Sequence, residues 1–466
     1  MTRSFCSLLP VALAVLLVGC TVGPRYQRPV VDVPATYRGP ADLSEPKDIS
    51  LGDAKWWTVF QDPQLQDLIR VALRQNYDVR IAATRVLQAQ AQLGITRADQ
   101  LPSVSAGADI VSQRNPKVSA LFPAYKTNTG ELNLSVIWDL DFWGKYRRAT
   151  EAARANLLAS EWGRRAVLDT VIANVASAYF QLRALDLQLE ISRRTLASRQ
   201  DSLHLTQVLA QNGSASDLDV RQAEQLVYTA SETIPDLERQ IQQQENLISI
   251  LLGQNPGPVT RGREITEQPN PLSVPEGLPS ELLERRPDIR EAEQNLIAAN
   301  ARIGVAKAAY FPDISLTGTG GFESDALTRL FTGPAGLWDA AASLTQPIFE
   351  GGRLRSNVRL SEAQERQELL TYESVLQEAF REVSDSLIAY QKDREFREQQ
   401  GLLTTAAQGA AHLSDIRYRG GTASYLEVLT NETDYFSAEL NLVEAELHER
   451  LALVQLYQAL GGGWQD

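Results

Sequence analysis

The clearest periodicity along the chain is a seven-residue one. Leu168, Val175, Leu182, Leu189, Leu196, Leu203 and Ala210 recur at that interval, and so do Val220, Val227, Ile234, Ile241 and Ile248. A partner row, Ala223, Ala230, Leu237 and Leu251, runs beside the second set, with Gln244 as its polar exception. An apolar seam sustained over several heptads marks helices that supercoil on neighbours. The other faces are rich in Gln, Glu, Arg and Asp and read as solvated. The pattern predicts helices over 63–98, 146–211 and 217–252, then over 287–309, 353–419 and 424–459. At a rise of ~1.5 Å per residue, a helix over 146–211 is about 100 Å long.

Between the helices the period drops to two. Leu132, Leu134, Val136, Trp138, Leu140 and Phe142 point one way, and Glu131, Asn133, Ser135, Asp139 and Asp141 the other, with Ile137 out of step. Ile314, Leu316 and Phe322 likewise oppose Asp313, Ser315, Thr317 and Thr319. These are strands with one apolar and one polar face. With two less regular segments they predict strands over 101–113, 131–143, 311–323 and 338–350, separated within each pair by polar loops 114–130 and 324–337. Each is about as long as the 9–11 residues a tilted strand needs to cross a bilayer. Trp138, Phe142, Trp143, Phe322 and Trp338 lie toward strand ends, where interfacial aromatics belong.

The chain repeats itself. Asp78, Arg80, Ala82, Ala89, Ala91, Gly94, Ala98, Pro102 and Ser105 recur as the same residue types 210 positions later. Phe142-Trp-Gly144 pairs with Phe349-Glu-Gly351, Gly213–Val220 with Gly421–Val428, and Leu252-Gly253 with Leu460-Gly461. Several matches in one order at a nearly constant offset mean two copies of a unit, each helix–strand–loop–strand–helix–helix, far longer than a solenoid repeat. The expected division is a signal segment 1–19, an N-terminal segment 20–60, repeat 1 over 61–254, a Pro/Gly-rich linker 255–286, repeat 2 over 287–461 and a tail 462–466.

The N-terminus brings in the membrane. Arg3 precedes a short apolar run, Leu8 to Val18, which is too short to span a bilayer. Leu17-Val18-Gly19-Cys20 resembles a bacterial lipobox, which implies cleavage before Cys20 and acylation of its thiol. Cys6 would leave with the signal, and no other cysteine exists for a disulfide or a thiolate site. Thr21, rather than Asp, follows the modified residue and favours outer-membrane sorting. Four membrane strands cannot close on themselves: open edges cannot face lipid, and barrels start at about eight strands. Several chains must therefore share one barrel, and this argument leaves two or three open.

Charge and motifs exclude other classes. A formal net charge of −13 argues against nucleic acid as a partner. His204, His412 and His448 are isolated, and no partner stands at metal-ligand spacing. The single methionine excludes a thioether copper site. Gly318-Thr-Gly-Gly321 follows a strand without opening a helix, and no G-x-S-x-G elbow occurs. No catalytic residue, cofactor site or metal site is expected.

Gly19-Cys20-Thr-Val-Gly-Pro-Arg-Tyr-Gln-Arg-Pro29, Trp56-Trp57, Phe60-Gln-Asp-Pro-Gln-Leu65, Trp138-Asp-Leu-Asp-Phe-Trp-Gly144, Arg285-Arg-Pro-Asp-Ile-Arg290, Gln346-Pro-Ile-Phe-Glu-Gly-Gly352 and Tyr418–Val428 together resemble the outer-membrane factor family of tripartite efflux systems, in its lipoprotein branch. The resemblance covers essentially the whole chain. It implies an α+β membrane protein: a homotrimer whose twelve-stranded β-barrel, four strands per chain, continues into a long α-helical periplasmic tunnel. It further implies an outer-membrane location, docking to a periplasmic adaptor and an inner-membrane pump, and passive export of drugs, ions or other small solutes. Type I protein secretion uses the same fold and stays open beside efflux. A structural coiled-coil lipoprotein would share the lipobox and heptads but would not need duplicated alternating hairpins.

By the same resemblance, the tunnel's periplasmic tip lies at the turns Asn212-Gly213-Ser214 and Arg419-Gly420-Gly421-Thr422. Tyr418 matches a gate tyrosine and Glu427 an acidic gate position. The chain departs from the family pattern at Ala423 and Thr430, and Arg417, Arg419, Asp217 and Asp219 are nearby charges able to substitute. Carboxylates from three chains at one constriction favour cations.

Overall fold

The computed structural model describes residues 21–34, 36–38, 50–116, 124–269 and 279–464. The acylation site expected at Cys20 lies outside the described residues. The chain divides into two units, one of residues 1–30, 85–160 and 291–373, the other of 31–84, 161–290 and 374–466.

The first unit carries the strands. β1 (Ser103–Asn115), β2 (Tyr125–Leu140), β3 (Asp313–Ser324) and β4 (Gly336–Thr345) form one sheet in that order, antiparallel throughout. The segments are therefore strands, with shifted limits. β1 begins two residues later than the pattern suggested, β2 starts six earlier, and β4 stops at Thr345. Phe142 and Trp143 fall beyond the end of β2. Trp143 instead stacks on Phe311 at 4.7 Å and donates its indole N–H to Pro312 O at 2.9 Å.

Register decides the faces, because residues directly opposite share a side. Val104, Val136 and Gly318 align, as do Ala108, Leu132 and Phe322, and Leu316 lies between Trp138 and Ala342. One apolar face thus runs across all four strands, and it is uncovered: Leu134 is 52% exposed, Val104 61% and Trp338 82%. The other face carries Ser105, Asn133, Ser135, Thr317 and Thr319, with Ser105 and Ser135 hydrogen-bonded at 2.8 Å. Among the described residues, β1 and β4 each pair on one side only.

Below the sheet in sequence, small residues set the helix packing: Ala152 and Ala155 bury against Ala298 and Ala301. The N-terminal strap crosses the same unit. Val22 N–H donates to Trp143 O at 3.0 Å, Tyr26 OH to Glu293 at 3.3 Å, and Arg28 pairs with Glu293 at 2.9 Å. A Cβ on Gly304 would come within 2.8 Å of Val22 O, so only glycine lets the strap lie there.

Besides short helical turns such as Trp56–Val59 and Leu282–Arg285, the helices are α1 (Pro63–Gln75), α2 (Tyr77–Ala98), α3 (Lys145–Gln211), α4 (Asp217–Leu251), α5 (Pro287–Ala308), α6 (Arg353–Arg419) and α7 (Tyr425–Ala459). Corresponding helices of the two repeats have equal lengths: 22 residues in α2 and α5, 67 in α3 and α6, 35 in α4 and α7. The expected single helix over 63–98 is broken at Asn76. Its side-chain oxygen accepts from Asp78 N (2.8 Å) and Val79 N (3.2 Å), and its amide donates to Leu251 O at 2.9 Å. Asparagine competes with the helix for backbone donors and so starts a new one.

In the second unit the heptad positions turn inward. Val175 and Leu182 of α3 and Ala230 and Ile248 of α4 are fully enclosed. Gln244, the polar exception, spends its amide on Ala178 O at 2.9 Å. Ile265 is fully buried, and the Asp62 carboxylate accepts from Arg263 N (3.0 Å), Tyr179 OH (2.7 Å), Gln268 Nε2 (2.9 Å) and Gln64 N (2.9 Å). Among the described residues no helix is long and apolar enough to cross a membrane.

Candidate functional site at the helix turns

Two turns in the second unit join the long helices. At each, the helix ends on a glycine in the left-handed region: Gly213 at φ 74° and Gly421 at φ 72°. Their N–H groups return to Ala210 O (3.0 Å) and Tyr418 O (2.9 Å), and the next residues, Ser214 and Thr422, reach Leu209 O and Arg417 O, both at 2.9 Å. This is a glycine-ended helix cap, in which a Cβ would be strained at the positive φ. Gly420 is still helical in its bonding, donating to Ile416 O at 3.0 Å.

The next helices open differently. Ser216 caps α4 by accepting from Asp219 N at 3.2 Å, while Asp219 accepts from Ser216 N at 2.8 Å. That capping box commits the Asp219 carboxylate to the backbone. Asp217 is the first residue of α4, where the helix dipole favours an anion. At α7 the N-cap Ser424 makes no side-chain cap bond, and Glu427 turns instead to Arg417, at 2.7 Å. Arg419 pairs with Asp415 at 2.9 Å. The structure therefore joins Arg417 with Glu427 and gives Arg419 and Asp219 partners of their own.

Tyr418 lies inward. Its ring meets Tyr425 edge-on at 5.2 Å, beside Leu203, Ala223 and Val428, and burial pushes its phenol upward. Tyr425 is fully enclosed, and burial pushes its phenol up to about 12.

Behind this pair lies a group the sequence pattern passed over. Arg199 is 2% exposed, donates to Leu226 O at 2.9 Å and sits over the Phe436 ring at 4.8 Å. It forms no ion pair among the described residues. Burial lowers its pKa, while burial raises that of Glu432, whose backbone oxygen accepts from Arg199 at 3.4 Å. The signal was available in the row three residues after the α3 seam, Val171, Ala178 and Leu185, which Arg199 extends with a charge. Around the turns one ion pair, Arg417–Glu427, joins α6 to α7, the half-buried Tyr418 packs with the enclosed Tyr425 beside Leu203 of α3 and Ala223 of α4, and Arg199 lies buried farther along α3. No group there is set up for covalent chemistry.

The model of the outer membrane efflux protein family matches residues 68–254 and again 278–462, one match for each repeat. The chain belongs to that family. It is 34% identical over 463 residues to the cation efflux system protein CusC of Escherichia coli K12, covering 98% of this chain and 99% of that one. To the toluene efflux pump outer membrane protein TtgC of Pseudomonas putida it is 36% identical over 478 residues, covering 100% and 97%. The crystal structure of the open state of the Neisseria gonorrhoeae MtrE outer membrane channel superposes with a TM-score of 0.87 at 32% identity, over 96% of this chain and 99% of that one. Within this family the sheet is the membrane part and the long helices the periplasmic tunnel of an efflux channel.

Proposed function

We propose that three copies of this chain form an outer-membrane exit duct, which passively conducts small molecules such as drugs or toxic solutes from an inner-membrane pump and a periplasmic adaptor to the exterior. The observation that carries it is the four-stranded sheet with an exposed apolar face and two single-paired edges. Such a sheet is stable in lipid only when its edges find partners in other copies. Three chains supply twelve strands, within the range of known barrels. The acyl group on Cys20 anchors the N-terminal strap at the membrane. The protein supplies shape and charge rather than chemistry, needs no cofactor, and takes its driving energy from the pump.

The test is the mass of the detergent-extracted particle, corrected for bound detergent, followed by conductance in planar bilayers. A mass of three chains with discrete conductance steps is expected. A monomer would leave two sheet edges open and move the coiled-coil lipoprotein to first place.

A further inference from the structure

In the second unit, a cavity of about 460 Å³ opens among α3, the start of α5, α6 and α7. Its walls carry four carboxylates, of Asp169, Asp288, Glu382 and Asp385, against the two guanidiniums of Arg286 and Arg381. Three of the four are matched. Arg286 holds Asp288 at 2.6 Å and Glu382 at 2.7 Å, and donates to Ala459 O at 3.1 Å. Arg381 holds Asp385 at 2.7 Å as well as Glu378. Asp169 is the exception. It is 7% exposed and lines the cavity, yet among the described residues no hydrogen bond or ion pair ends on its carboxylate, and Arg286, already bonded to Asp288 and Glu382, acts on it only through space.

A buried carboxylate without a partner is costly and must be neutralised by a proton or by a cation. We propose that this cavity binds a small organic cation through a primary ammonium group, which pairs with the Asp169 carboxylate. An ammonium offers three donors, and the Thr170 and Ser386 hydroxyls and the Gln455 and Gln458 amides, on three of the cavity's helices, line it as acceptors for the others. Alanine and proline side chains, at Ala166, Pro287 and Ala459, line it beside them. The volume falls within the roughly 300–1,000 Å³ of small-molecule sites. A metal ion fits poorly: among the described residues no cluster of three or more His, Cys, Asp or Glu side chains is arranged to hold one. Proton and amine compete for the same oxygen atoms. Burial pushes the Asp169 carboxyl well up, Arg286 opposes that, and Asp288 and Glu382 add to it. Tyr457 is the titratable group facing it from α7.

The experiment is calorimetric titration of 1,4-diaminobutane into the detergent-purified full chain, with 1,4-butanediol as the uncharged control and sodium chloride at matched ionic strength. The diamine should bind and the diol should not. Asp169→Asn, which keeps the shape and removes a buried charge, should weaken the diamine about tenfold or more. Independently of any variant, wild-type affinity should strengthen as pH rises, because only the ionised carboxylate pairs with the ammonium. No diamine heat in the wild type, equal binding of the diol, undiminished binding by Asp169→Asn, or affinity that falls with rising pH each overturns the proposal. Bilayer conductance of the same preparation tests the duct separately.

Discussion

Replacing Asp62 by asparagine should release the linker from the helices it is tied to. Asp62 is fully buried, and its two oxygens divide the work. Oδ1 takes the Gln64 N–H at the head of α1, while Oδ2 takes Tyr179 OH, Arg263 N–H and the Gln268 amide. An asparagine can serve one side only. With its oxygen toward the three donors, its NH2 faces the Gln64 N–H, and the helix cap, worth about 1 kcal/mol, is lost. The three remaining bonds fall from charge-assisted to neutral, at roughly 1 kcal/mol each. The three weakened bonds sum to about 3 kcal/mol, which corresponds to opening of the 255–269 segment about a hundredfold more often, while the cap bond is local to α1 and does not hold the segment.

Limited trypsin digestion reads this locally, because cleavage after Arg261 or Arg263 tracks the open population when reclosing is fast. Asp62→Asn should be cut about a hundredfold faster than the wild type, and Tyr179→Phe, which removes one donor, about tenfold faster. Burial alone would raise the Asp62 pKa, but the bonds from Tyr179, Gln268, Gln64 N and Arg263 N outweigh it and hold the carboxyl below its usual range. A depressed folded-state value stabilises at every pH above the unfolded carboxylate value, and the contribution is lost as pH falls through the folded one. Hydrogen exchange of the Arg263 amide should therefore be insensitive to this group in mild acid and rise only below about pH 3.9. Wild-type cutting rates in Asp62→Asn would refute the reasoning.

Other variants test the remaining contacts. Gly304→Ala puts a methyl group 2.8 Å from Val22 O and should expose Arg25 to trypsin, whereas Gly94→Ala, where the added carbon meets nothing within 4 Å, should not. At the turns, Arg417→Gln leaves Glu427 uncompensated and should raise the cation preference in planar bilayers, while Glu427→Gln should lower it. Three charges acting across one Debye length, ~10 Å at 0.1 M salt, amount to roughly 0.5 kcal/mol, hence a shift of about twofold each way. The double variant should return to the wild-type ratio, and equal selectivity in all four proteins removes this pair from the gate. Arg199→Met should lower the melting temperature by several degrees, since Leu226 O loses its donor and Glu432 the cation nearest to it.

The heptads and the alternating strands were legible because each repeats one rule over many residues. The seam residues Val175, Leu182 and Ile248 and the face of Leu132, Leu134 and Val136 needed no knowledge of distant contacts. Element ends were less legible. The break at Asn76 depends on Leu251, far away in sequence, accepting its amide. Phe142 continues the alternation of β2 on paper, but just beyond it the strap claims Trp143 O and Pro312 O claims the Trp143 indole, and the strand ends at Leu140. At the turns, Gly213 and Gly421 stood out by residue type, and Tyr418 by the family resemblance. Which charges pair did not, because a carboxylate three residues into a helix has two uses, and only the three-dimensional neighbours choose between them.

That choice separates the two repeats. Asp219 and Glu427 occupy the same place, three residues after the N-cap serines Ser216 and Ser424. The shorter side chain folds back and closes a capping box; the longer one leaves its cap open and crosses to Arg417. A cap is worth about 1 kcal/mol and an exposed ion pair no more than that, so the exchange is nearly neutral for stability. What it changes is where the negative charge sits. The same logic holds at Gly94 and Gly304. Both are cleared of a side chain, but one N-terminus serves two repeats, and the strap lies only against Gly304. Its acceptor Glu293 has Ala83 as its counterpart, so repeat 1 could not hold the strap even if it reached there. Duplication thus supplies equal helix lengths and equal turns. Single substitutions at matched positions, Asp219 for Glu427 and Ala83 for Glu293, then give only the second copy the strap's acceptor and the charge paired across the turn.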